Sequence, residues 1–207
     1  SFLKHVLNGQ ADKVGVLVNE FGKISIDGPI LQQEHMNLVE LNNGSIFCSC
    51  IKEHFIQSLK DLIELRLEAI FIESSGLADP ANMVQIVNLI RNEVSAPFDY
   101  LGSICLIDGL YFEQELKKMV SVERQIKHSQ VVLVNKVDLI DTEKLQKIHQ
   151  KVSEINPVVG IHDMNFGVID FGRLEFSGRP TSFESTTNKE DNRPYVIVMR
   201  LKAAVEK

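Results

Sequence analysis

Apolar positions in this chain fall into short dense runs, separated by stretches of helical spacing. Val14-Gly15-Val16-Leu17-Val18-Asn19 reads as a strand, and Asn37-Leu38-Val39-Glu40-Leu41 as a shorter one. Helical spacing follows from Ile51 to Leu67. The alternation continues with strand Ala69 to Glu73, helix Ala81 to Glu93, strand Leu101 to Asp108 and helix Tyr111 to Met119. It ends with strand Val131 to Asn135 and helix Thr142 to Ile155. Strands that are apolar almost throughout, rather than at every second residue, belong to parallel sheet buried on both faces. The expected architecture is three-layer α/β with a mainly parallel sheet. Pro80 suits a first helical turn, with Asp79 as its N-cap.

Beyond Asn156-Pro157 the pattern weakens. Gly160, Gly167, Gly172 and Gly178 punctuate short apolar pieces, and Thr181 to Arg193 is polar and charged. The reading is one domain over 1–180, a linker over 181–193, and a further strand from Tyr195 to Leu201 that opens a second domain over 194–207.

Composition narrows the classes. With 207 residues, 44% of them hydrophobic, there is material for one globular core and no apolar run long enough to span a bilayer. The net charge of −6 comes with scattered lysine and arginine, which argues against nucleic-acid binding. Three cysteines, Cys48, Cys50 and Cys105, suit a reduced cytoplasm better than a disulfide framework. Cys105 lies within an apolar strand and reads as core.

In open parallel sheets, ligands gather at the carboxyl ends of strands. Four such ends carry chemistry here: Asn19-Glu20, Glu73-Ser74-Ser75-Gly76, Asp108 and Asn135-Lys136-Val137-Asp138. In the last, the Asp138 carboxylate can accept from the ring N–H and the exocyclic amine of guanine, a donor pair adenine lacks. Asn135 can bond the base and neighbouring loops, and the Lys136 stem can lie over the ring. Two charge-assisted bonds would give on the order of a hundred- to ten-thousandfold preference for guanine. Glu73 is an acid suited to the Mg²⁺ shell, and Gly76 would let a backbone N–H approach a terminal phosphate. Asn19-Glu20-Phe21-Gly22 through Asp27 reads as a switch segment that orders around phosphate and Mg²⁺, or else as a solvated loop. Cys48 and Cys50 can serve one metal if the backbone turns, with Glu40, His35 or His54 completing the set; the alternative is two small core residues.

Together these segments resemble the CobW family of metallochaperone GTPases, related to the UreG and HypB types. Val18-Asn19-Glu20-Phe21-Gly22 with Asp27 is similar to the family's N-E-F-G segment. Glu40-Leu41 and Asn43-Gly44 lead toward its cysteine motif, and Glu73-Ser74-Ser75-Gly76-Leu77-Ala78-Asp79-Pro80 closely resembles its acid–glycine segment. Arg124-Gln125-Ile126 and Val131 to Leu139 resemble its Q-I segment and guanine motif. The resemblance implies a P-loop NTPase-like fold and a GTPase that converts GTP and water to GDP and phosphate with Mg²⁺. It also implies binding of zinc, cobalt or nickel and delivery to a client protein, with homodimer formation left open.

Three departures accompany it. The family's G-x-x-G-x-G-K-T loop is missing, and Ser1 to Leu7 resembles the helix after that loop. The 207-residue polypeptide is therefore expected to lack its P-loop and to be inactive alone, its parent being active. The C-x-C-C motif appears as Ser45-Ile46-Phe47-Cys48, with Cys50 an extra thiol. Only the first strand of the family's C-terminal domain is expected here. The competing readings are a regulatory GTPase without metal, a kinase or ATPase, and a scaffold without catalysis.

Overall fold

The computed structural model describes residues 14–19, 37–41, 49–74 and 79–176. Strands β1 (Val14–Asn19), β2 (Asn37–Leu41) and β3 (Ala69–Ser74) form one three-stranded sheet in the order β2-β1-β3. Strands β4 (Ile104–Asp108), β5 (Val131–Asn135) and β6 (Gly160–Asp163) form a second in the order β4-β5-β6. Every pairing is parallel. The helices are α1 (Ser49–Glu64), α2 (Met83–Ile90), α3 (Phe112–Lys118), α4 (Val120–Lys127) and α5 (Thr142–Ile155).

Successive residues of a strand face opposite sides of the sheet. Val16 and Leu17 are both 0% exposed, so both faces of the first sheet are covered. Leu17 packs with Phe55, Leu59 and Leu62 of α1 and with Ile86 and Ile90 of α2, while Val14, Val16 and Val18 form a cluster on the opposite face. In the second sheet Val132 and Val134 pack against Ile126 of α4 and Ile148 and Val152 of α5. Val131 and Leu133 face Met164 and Leu174. This is the α/β arrangement that unbroken apolar strands predict.

The bounds of β1, β2, β5 and α5 are those expected from the sequence. The Asp79–Pro80 cap forms as well: Asp79 Oδ1 accepts from Ala81 N at 3.0 Å, with Pro80 opening a 3-10 turn. Four expectations need correction. The helix expected over Ala81 to Glu93 is a 3-10 turn followed by the shorter α2. The strand expected from Leu101 starts at Ile104, because Gly102 has a φ of +126°, outside strand geometry. The helix expected over Tyr111 to Met119 breaks at Met119, whose extended backbone starts a second helix, α4. Finally, the weakly patterned stretch after Pro157 contributes β6, held along β5. The linker, the expected strand Tyr195 to Leu201 and the segment 1–13 lie outside the described residues.

Candidate functional site at the strand ends

The second sheet builds the guanine-type motif from its core outward. Val131 to Val134 are 0% exposed, and this buried strand fixes where Asn135 leaves the sheet, level with Asp108 of β4. Lys136 then takes a left-handed φ of 61°, turning the chain sharply into a 3-10 turn over Val137–Leu139. The backbones at the two strand ends approach closely, with Gly109 N donating to Asn135 O at 2.9 Å. A Cβ at Gly109 would sit 3.0 Å from that carbonyl oxygen, so glycine is what permits the approach.

Side chains then brace the motif from both sides. Lys136 Nζ donates to Asp108 Oδ2 at 2.6 Å, while Asp108 Oδ1 accepts from Leu110 N at 3.0 Å. The hydrogen bond and charge of Asp108 raise the Lys136 ammonium above its ordinary pKa. On the other side, Gly167 N donates to Asn135 Oδ1 at 3.3 Å and Asp138 N donates to Asn165 Oδ1 at 3.1 Å. The Asp138 carboxylate is exposed and takes no hydrogen bond or ion pair among the described residues. An acceptor pair is thus held out on a turn braced by hydrogen bonds.

The first sheet aligns its own strand ends. Asn19 of β1 is level with Leu41 of β2 and Ser74 of β3, and one row back Val18 lies between Glu40 and Glu73. Glu73 is half-buried at the carboxyl end of β3. A partly shielded carboxylate there fits a hard cation such as Mg²⁺, held directly or through water. Cys50 is the second residue of α1. Glu20, Asp27, Cys48 and Gly76 lie outside the described residues, as do the side chains of Asn19, Glu40 and Cys50. Among the described residues no group of three histidine, cysteine or acidic side chains could hold a metal. Cys105 is 6% exposed, and burial pushes its thiol up to about 12.

The sequence reading missed the turn Asn165–Val168 and the role of Asp108 as partner to Lys136. The sequence marks Asp108 only as a strand end. The turn had one local signal, Phe166-Gly167, and no periodicity around it.

A nucleotide-binding domain family described as CobW/HypB/UreG matches residues 1–163. This chain belongs to that family. Among CobW/HypB/UreG relatives it is 28% identical over 182 residues to the zinc chaperone YjiA of Escherichia coli, covering 84% of this chain and 56% of YjiA. It is 27% identical over 186 residues to the zinc-regulated GTPase metalloprotein activator 1 of Schizosaccharomyces pombe, covering 82% of this chain and 43% of that protein. The chain thus spans about half the length of these relatives. In fold it is similar to the Zn(II)-bound YjiA GTPase of E. coli, with a TM-score of 0.59 at 22% identity over 95% of this chain and 62% of that one. It is also similar to HypB of Helicobacter pylori in complex with nickel, with a TM-score of 0.54 at 16% identity over 79% of this chain and 71% of that one. The sequence-based assignment to the CobW-type family and to its α/β fold therefore holds.

Proposed function

We propose that this chain is the guanine-recognising part of a GTPase that binds a transition metal and assists its delivery to a client protein. The observation that carries the nucleotide half is the exposed Asp138 carboxylate, set on a turn braced by Lys136–Asp108 and Asn135–Gly167. Asn135 and Asp138 would read the base, and the Lys136 stem would cover it. Glu73 would act in the shell of Mg²⁺, which when bound offsets charge on the phosphates; Gly76, Asn19, Glu20 and Asp27 would complete the phosphate side and its switch.

Domain organisation belongs to the same proposal. The 207 residues contain no G-x-x-G-x-G-K-T loop, and we assign that loop to sequence outside them. Among the described residues β3 hydrogen-bonds only to β1 and β4 only to β5, which leaves each an edge for a further parallel strand. Residues 1–180 then form the GTP-binding domain, 181–193 a linker and 194–207 the start of a second domain. Hydrolysis by the 207-residue chain alone, at the rate of the full-length protein, would sink this assignment.

The metal half rests on Glu40, Cys48 and Cys50 and on relatives named as zinc chaperones. Zinc, cobalt or nickel is cargo here, and the GTP cycle would alter how these ligands are held. Zinc titration of the Cys48→Ala/Cys50→Ala variant tests the site. Lost affinity supports it; unchanged affinity favours a regulatory GTPase that recruits a partner without metal. No described helix is long and apolar enough to cross a membrane. We assign the protein to the cytoplasm, acting on a client protein and not on nucleic acid, with a homodimer as the form to test by sedimentation.

A further inference from the structure

The turn Asn165-Phe166-Gly167-Val168 is built in a way that its own sequence disfavours. Val168 N donates to Asn165 O at 2.9 Å, closing a four-residue turn, and Asn165 and Val168 form an antiparallel bridge. Both central residues have positive φ, 55° at Phe166 and 74° at Gly167. Turns of this type favour asparagine, aspartate or glycine at the first central position, because a side chain there crowds the following carbonyl. Phenylalanine is an outlier at that position. Nor does it gain burial in return, since Phe166 is 79% exposed. A strained backbone carrying an exposed ring, held by surroundings that over-determine it, is the pattern expected of a binding residue.

Those surroundings are the base-reading motif itself. The residue before Phe166 accepts from Asp138 N at 3.1 Å, and the residue after it donates to Asn135 Oδ1 at 3.3 Å. At the root of the turn, Met164 N donates to Val134 O at 2.9 Å, and Met164 is 3% exposed. The ring therefore stands on a turn anchored to the two residues that would hydrogen-bond the base. Lys136, the other left-handed non-glycine residue of this cluster, lies between them in sequence. We infer that Phe166 is a stacking platform for the purine ring of the guanine nucleotide, with Asp138 reading the edge of the same base. The inference rests on the nucleotide half of the proposed function and adds a residue to it.

Stacking is tolerant of base identity, whereas edge recognition is not. The two contributions can therefore be separated in the full-length protein by binding GDP and IDP, which lacks the exocyclic amine. Phe166→Asn suits the turn better than phenylalanine, so its thermal midpoint should be unchanged or higher. Its affinity for GDP and IDP should fall by a common factor of roughly 5- to 150-fold, the ordinary worth of one aromatic stack. Phe166→Trp should retain affinity, and GDP should quench the emission that this indole adds to that of the unaltered protein. If the unaltered protein binds GDP and Phe166→Asn binds it equally well, the stacking role is overturned while guanine recognition stands. A drop in thermal midpoint with unchanged affinity would make Phe166 a structural or partner-contacting residue, and overturns the inference too. If the unaltered protein binds no guanine nucleotide, both readings fail, the nucleotide one first.

Discussion

Arg124 Nε donates to Asp79 Oδ2 at 3.0 Å, with the aspartate side chain fully buried and the arginine 16% exposed. The contact joins α4, on the face of the second sheet, to the end of the acid–glycine segment that leaves the first, where Asp79 caps the 3-10 turn. It spans 45 positions and ties together two sheets that share no strand pairing among the described residues. Removing the guanidinium leaves a buried carboxylate short of its counter-ion. Arg124→Ala is expected to lower stability by about 2–4 kcal/mol in urea denaturation. Arg124→Lys, which keeps the charge but not the fixed N–H geometry, should recover only part of this loss.

Asp138 sets the base preference in the proposed reading. Asparagine in its place offers one acceptor and one donor, and the donor would face the amine of guanine. Xanthine carries an oxygen where guanine carries that amine. Asp138→Asn should therefore weaken GTP binding by on the order of a hundred- to ten-thousandfold and favour XTP. Competition between the two nucleotides in the full-length protein measures it, and an unchanged preference for GTP would refute the role of Asp138.

Asn156 holds a junction together. Its side-chain nitrogen donates to Ile126 O and Ser129 O, both at 2.9 Å, and more weakly to Lys127 O at 3.3 Å. The amide sits at the C-terminus of α5 and satisfies carbonyls at the C-terminal end of α4. Asn156→Ala should cost about 1–3 kcal/mol, since Ser129 O and Ile126 O lose a buried donor, while Ile126 O keeps Ser129 N at 3.3 Å. Asn156→Asp should cost more, because a carboxylate oxygen would then face those carbonyls. Urea midpoints of the two variants provide the ranking.

Cys105 gives the chain an alkaline limit. Burial moves its thiol from 9.0 to about 12, so it stays protonated in the folded chain while the unfolded chain ionises. Between those values the unfolded state binds fewer protons, and stability falls as pH rises, at up to about 1.4 kcal/mol per pH unit. Below the unfolded value the group has no effect. The stability difference between wild type and Cys105→Ala, followed from pH 8 to 11, should narrow as pH rises. A thiol reagent should leave Cys105 unmodified until the chain unfolds; rapid labelling of the folded protein would contradict this burial.

What the sequence could determine by itself was whatever is written locally. The unbroken apolar runs Val14–Asn19 and Val131–Asn135 announced strands buried on both faces, and the order of strands and helices announced a parallel α/β fold. Asp79 before Pro80 announced a helical start, because an N-cap acts over two or three residues. Asn135-Lys136-Val137-Asp138 could suggest the guanine recognition proposed above because its groups are contiguous. The tertiary structure decided everything that depends on distant partners. Helix α4 is mostly polar, with Ile126 its one buried residue, and its orientation is explained by Asp79 and Asn156, far away in sequence. Strand β6 has only four residues, and β5 supplies its register. The turn carrying Phe166 joins Asn135 and Asp138 through bonds across 32 and 27 positions. Local pattern reports how a residue relates to its neighbours in the chain; which turn braces Asn135 and Asp138 depends on contacts that only folding creates.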